Sequence, residues 1–119
     1  MFYNFNPDLP QPFNVIHPLQ LNAIRKLLGS NIPEQVDRIY LFGSSLEISC
    51  DKFSDIDLYI ISDGEDNDIY KQIRSICKGI EKPFDILVSS MEDFTDNSNE
   101  LNTVENDIVK GGVCIYAKI

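Results

Sequence analysis

Leu41-Phe42-Gly43-Ser44 and, after a polar stretch, Ser54-Asp55-Ile56-Asp57-Leu58 decide the reading of this chain. Each adjoins an apolar run: Ile39-Tyr40-Leu41-Phe42 leads into the glycine, and Tyr59-Ile60-Ile61 follows the acids. A third run, Phe84-Asp85-Ile86-Leu87-Val88, carries one more carboxylate. Charge within a buried strand is costly unless something binds it. Residues two apart in a strand share a face. Asp55 and Asp57 therefore project together, with Ile56, Leu58 and Ile60 turned to the core. Two carboxylates so placed repel one another, and a hard divalent cation relieves the conflict. If the strand around Asp85 lies beside them, the three acids form one cluster, able to hold two metals about 4 Å apart. The plainer alternative is that Asp55 caps a turn while Asp57 and Asp85 are solvated on an open sheet face.

Gly43 follows a strand and precedes a helix start. A glycine there lets a phosphate approach the backbone, and the N–H groups of a helix N-terminus attract anions. The Ser44 hydroxyl can add a hydrogen bond. Alone, Gly-Ser is an ordinary turn; its place ahead of the Asp-x-Asp strand gives it meaning.

Working outward, Leu19, Ala23, Ile24, Leu27 and Leu28 make a helical stripe from Pro18 to Gly29, with Arg25 and Lys26 exposed. Strands are predicted over 36–42, 55–62, 84–89 and 113–119, with a short helix over 44–49 and a polar loop over 51–54. The acids of 63–68 suit a helix N-terminus, and Ile69, Ile73, Ile76 and Cys77 mark that helix's buried face up to Gly79. Residues 90–103 are polar and read as a loop with a short helix. Val104, Ile108 and Val109 mark a last helix ending at Gly111-Gly112. Tyr40, Phe42 and Tyr59 read as sheet packing. Residues 1–16, with Pro7, Pro10 and Pro12, read as an extended arm whose Phe2, Phe5 and Phe13 pack on the body or on a partner. The order implies an α/β (α+β) fold, one domain over 1–119.

With 119 residues the chain has room for one core. Its 19 acids against 10 bases give a net charge of −9, which argues against an extended nucleic-acid surface. Small triphosphates remain admissible because a metal supplies positive charge locally, and a basic protein partner suits the balance. Cys50, Cys77 and Cys114 have no paired spacing and read as reduced thiols of a cytoplasmic protein, Cys114 in the core. No stretch approaches the roughly 20 apolar residues of a membrane span, and the N-terminus lacks the pattern of a signal peptide. His17, the sole histidine, reads as a capping or surface residue before Pro18. Ser89-Ser90 starts a turn with no base beside it, which disfavours a serine nucleophile.

The combined pattern of Leu41 to Ser44, Ser54 to Leu58 and Phe84 to Val88 resembles the minimal nucleotidyltransferases of the polymerase-β superfamily. The similarity runs from about residue 18 to the C-terminus. It implies a mixed sheet flanked by helices. It implies that Gly43 and Ser44 bind a nucleoside triphosphate, that Asp55 and Asp57 hold Mg²⁺, and that Asp85 joins a second Mg²⁺ and takes or directs the acceptor's proton. The reaction implied is transfer of a nucleoside monophosphate, AMP from ATP, to a hydroxyl of a protein or small molecule. Many small members resemble the antitoxin half of two-gene modules, whose partner is a HEPN-type ribonuclease toxin. The stretch Ser45-Leu46-Glu47-Ile48-Ser49 departs from the family, which often has basic residues there; Lys52 is the nearest substitute. Two rival readings stay open: a binding module with a degenerate site that neutralises its partner by contact, and a metal-dependent phosphohydrolase. So short a chain leaves the acceptor surface to a second protein or a second copy of itself.

Overall fold

Val36–Phe42, a run of β-branched, aromatic and leucine residues with one charged pair, forms the strand around which the sheet is built. The computed structural model describes residues 18–43, 55–80 and 82–118. In chain order the elements are α1 (Pro18–Leu28), β1 (Val36–Phe42), β2 (Ile56–Ser62), α2 (Asp66–Cys77), β3 (Phe84–Ser89), α3 (Met91–Ser98), α4 (Val104–Gly111) and β4 (Val113–Ala117). The sheet order is β3-β2-β1-β4. β1 pairs antiparallel with both β2 and β4, whereas β2 and β3 run parallel, so the sheet is mixed. A parallel pair needs a crossover, and α2 supplies it.

One face carries the main core. Val36, Ile39, Leu41, Ile56, Leu58, Ile60, Phe84 and Ile86 meet Ala23, Ile24 and Leu27 of α1 and Ile69, Ile73 and Cys77 of α2. The predicted α2 face is thus the buried one. Its N-terminus follows from sequence chemistry: the Glu65 carboxylate accepts from the Asp68 N–H at 2.9 Å, and Asp66 and Asp68 lie in the first turn. Burial raises the Cys77 thiol above its ordinary range, which keeps it protonated.

On the opposite face α3 and α4 pack over the sheet. Tyr59, Ile61, Phe94 and Ile108 are buried there, with Tyr40, Phe42 and Val104 packed against them. Phe94 stacks on Tyr40 (centroids 5.7 Å apart, planes at 4°) and meets Tyr59 edge-on at 5.3 Å. The three aromatics read as sheet packing do serve that purpose. α3 occupies part of the polar stretch that suggests a loop with a short helix; Ser90 caps it by accepting from the Asp93 N–H at 3.1 Å.

Three apolar residues assigned to the interior lie outside it. Cys114 is exposed, because β4 is an edge strand whose alternation turns that thiol outward. Leu19 is 49% exposed while its neighbour Gln20 is buried, and Val109 is 63% exposed while Ile108 is the buried residue of α4. Each stripe is one residue narrower than its sequence suggests, since only the side facing the sheet has something to pack on. The predicted helix over 44–49, the arm over 1–16, and His17, Ser44, Cys50 and Lys52 lie outside the described residues.

Ile60 is fully buried at the centre of the sheet. Ile60→Ala should lower unfolding free energy by about 3 kcal/mol, whereas Val109→Ala should change it by less than about 0.5 kcal/mol. Urea denaturation followed by far-UV circular dichroism measures both.

Candidate active site

The ladder between β2 and β3 sets Asp57 directly opposite Asp85. Opposed residues of a parallel pair point to the same side of the sheet, so the two carboxylates project from one face on neighbouring strands. On the other side of β2, Asp57 is paired with Phe42 of β1, and Gly43 follows Phe42. Across the sheet the order is therefore Gly43, Asp57, Asp85. Gly43 and Asp85 are exposed and Asp57 is half-buried.

Gly43 has φ +75°, in the left-handed region. A Cβ built on it would collide with Oδ2 of Asp57 and lie 3.2 Å from that carboxylate's Cγ. Two separate constraints thus require glycine here: its backbone angle and the close approach of Asp57. Asp55 lies just ahead of β2, exposed, with its backbone outside the ladder. Ile56, next to it, is anchored by its N–H to the Pro83 carbonyl at 3.0 Å.

Of the three acids singled out in the sequence, the register sets Asp57 and Asp85 side by side, and Asp55 lies one residue ahead of it. Among the described residues, no three histidine, cysteine, aspartate or glutamate side chains are grouped closely enough to hold a metal. Pairing fixes Asp57 and Asp85 on neighbouring strands, and the ladder starts at Ile56, directly after Asp55. The donor set nevertheless fits Mg²⁺ chemically. That ion is usually held by one or two carboxylates together with substrate phosphates, not by an all-protein cage. The space beside Asp57 that a Cβ would fill is left open by Gly43.

Behind the acids lies a polar network that sequence reasoning did not find. The buried Tyr59 hydroxyl is hydrogen-bonded to Oε2 of Glu105 on α4 at 2.6 Å and to Oγ of Ser89 on β3 at 2.7 Å. Ser89 Oγ also lies 3.0 Å from the Ser90 carbonyl, and its single proton serves either that carbonyl or the Tyr59 oxygen. A carboxylate only accepts, so Glu105 takes the phenol's proton in its bond. Burial first, and the Glu105 carboxylate second, push the Tyr59 phenol well above the ordinary tyrosine range; the Ser89 contact opposes them. Tyr59 shares the face of Asp57 two residues on, so this network pins α4 and β3 to the strand that carries the acid. The available signal was that i, i+2 relation. Its partner Glu105 is 46 residues away and carries no local signature.

The sequence profile of the family described as polymerase beta, nucleotidyltransferase matches residues 22–118. The chain belongs to that family. The match spans the Gly43 turn, both aspartate strands and β4. No curated protein matches the chain. Among solved structures, a chain of a toxin–antitoxin complex with AMP-PNP superposes with TM-score 0.53 at 24% identity, over 82% of this chain and 73% of that one. A tri-AMPylated Shewanella oneidensis HEPN toxin in complex with MNT antitoxin contains a chain similar at TM-score 0.50 and 24% identity, over 84% of this chain and 73% of that one. At that identity the likeness is one of fold, and it agrees with the family's sheet flanked by helices. No helix among the described residues is long and apolar enough to cross a membrane.

Gly43→Ala should destabilise the protein by about 1–2 kcal/mol through its backbone angle alone, with more added as Asp57 is displaced. Chemical denaturation of the variant measures this. The Tyr59 phenol gives a second test. Its folded pKa is raised, so its stabilising effect is complete below the unfolded value near 10 and is lost as pH climbs from there toward the folded value. The stability gap between wild type and Tyr59→Phe should therefore stay constant below about pH 9 and shrink above about pH 10. Parallel urea titrations across that range read it out.

Proposed function

We propose that this chain is a Mg²⁺-dependent nucleotidyltransferase that moves AMP from ATP to a hydroxyl of a protein partner. The observation that carries the reading is the in-register placement of Asp57 opposite Asp85, with Gly43 closed against Asp57, inside a family match over residues 22–118. The similar complexes hold AMP-PNP in one case and a tri-AMPylated HEPN toxin in the other. Carried to this chain, they support ATP as donor and a HEPN-type toxin as acceptor.

In this mechanism Gly43 and Ser44 receive the triphosphate, the glycine because its missing side chain lets phosphate oxygens reach the backbone. Asp55 and Asp57 are the carboxylates that would hold Mg²⁺, and Asp85 would join them at a second ion. When bound, the metal supplies charge neutralisation on the phosphates. Asp85, exposed on the edge strand, would accept the proton of the incoming hydroxyl or orient the group that does. Catalysis then rests on positioning and preorganised charge.

A second reading has one observation in its favour. Ser45-Leu46-Glu47-Ile48-Ser49 offers no lysine or arginine to the phosphates and adds a carboxylate. In that reading the chain neutralises its partner by contact, and the nucleotide site is a remnant.

With labelled ATP, Mg²⁺ and a HEPN-type protein encoded beside the chain, transfer of label to that protein is expected. EDTA should stop it and added Mg²⁺ restore it. Asp57→Asn and Asp85→Asn should each lower the rate by more than about a hundredfold while circular dichroism stays unchanged. Full neutralisation of the partner by an Asp55→Asn, Asp57→Asn double variant would instead favour contact alone.

A further inference from the structure

On the face of the acids, β3 presents Asp85, Leu87 and Ser89. Asp85 and Leu87 are exposed, and Ser89 is buried. β3 stands at the end of the order β3-β2-β1-β4, and among the described residues its ladder is the one with β2. On this face, the strand that carries Asp85 is held where Ser89 is held. Ser89 Oγ lies 2.7 Å from the Tyr59 hydroxyl, which donates to Oε2 of Glu105 on α4 at 2.6 Å. The contact runs diagonally, because Ser89 is paired with Ile61 while Tyr59 is paired with Leu87. A brace across two rows of the ladder resists sliding of β3 along β2 as well as splaying away from it.

Packing alone does not call for this arrangement. A phenylalanine at 59 would meet Phe94 edge-on just as Tyr59 does. It would need neither the half-buried Glu105 carboxylate nor the buried Ser89 hydroxyl, each of which costs desolvation. Apolar contact is non-directional, whereas hydrogen bonds fix distance and angle. The chain keeps three polar side chains where one ring would pack, and they join the two strands that bear Asp57 and Asp85.

We infer that Tyr59, Ser89 and Glu105 are positioning residues of the transfer reaction: their hydrogen bonds brace β3 against β2 and α4 and so hold Asp85 in the alignment with Asp57 that divalent ions require. The inference rests on the nucleotidyltransferase reading and adds to it the residues that act through the two aspartates. Mg²⁺ accepts little departure from octahedral geometry, so a small shift of one carboxylate is costly with that ion. Mn²⁺ takes the same oxygen ligands with longer, more compliant bonds and tolerates the shift.

The test uses the whole chain, first without ligand and then in the transfer reaction. Hydrogen–deuterium exchange of the metal-free protein is followed by mass spectrometry. Tyr59→Phe and Glu105→Leu should speed exchange over residues 84–89 about tenfold, with α1 and α2 as in wild type. Glu105→Gln keeps an oxygen for the phenol proton and should exchange as wild type. Transfer of label from ATP to the HEPN-type partner is then measured with Mg²⁺ and with Mn²⁺. Tyr59→Phe and Glu105→Leu should lower kcat with Mg²⁺ about tenfold, move KM for ATP less than about twofold, and recover most of the rate with Mn²⁺. Glu105→Gln should again match wild type. A defect of stability alone would be the same with either ion. Unchanged exchange over 84–89, wild-type kcat with Mg²⁺ in Tyr59→Phe, or an equal loss with both ions overturns the inference and leaves the enzymatic reading standing. No transfer by the wild type with either ion removes the nucleotidyltransferase reading, and the inference with it.

Discussion

The parallel ladder between β2 and β3 is the constraint from which the rest follows. It pairs Ile56 with Phe84 and Leu58 with Ile86, four buried side chains on the core face. The same pairing puts Asp57 opposite Asp85 on the other face. A slip of one residue along β3 would turn Phe84 and Ile86 outward and carry Asp85 into the core. Each error costs several kcal/mol, the first in lost apolar burial and the second in a stranded charge. Hydrophobic packing on one side of the sheet therefore enforces the alignment of the carboxylates on the other.

The two faces divide the work. α1 and α2 pack on the core face, and α2 doubles as the crossover that makes the parallel pair possible. α3 and α4 cover the second face around Phe94 and Ile108. Tyr59 ties that cover down: its hydroxyl is held by Glu105 of α4 and Ser89 of β3. Near the beginnings of β2 and β3, Asp57 is half-buried and Asp85 exposed. Exposure at that end is what charged groups require, and burial a few residues further on is what holds them still.

Much of this is legible in the sequence because it depends on local periodicity. Ile69, Ile73 and Cys77 announce a helix face at their spacing, and Asp55-Ile56-Asp57-Leu58 announces a two-sided strand. The Gly43 requirement is legible as chemistry, though its steric cause, the Asp57 carboxylate, needs coordinates. Other features depend on which elements meet. Cys114 and Val109 look like core from their neighbours, but β4 is at an edge and Ile108 is the buried residue of α4. Phe94 is a lone aromatic in a polar helix, so its stacking on Tyr40 leaves no periodic trace. The i, i+2 relation of Asp55 to Asp57 suggests that Asp55 joins the other two acids. The ladder begins one residue later, at Ile56, so the register speaks for Asp57 and Asp85 alone.

The separation of packing from chemistry along β2 has an evolutionary consequence. The residues of this strand that hold the sheet together are Ile56, Leu58, Ile60 and Ile61, all fully buried, while Asp57 alternates with Ile56 and Leu58 and turns to the other face. Lineages can therefore discard or retune the reaction without losing the scaffold. A descendant stripped of its carboxylates would still present the same shape to whatever binds it.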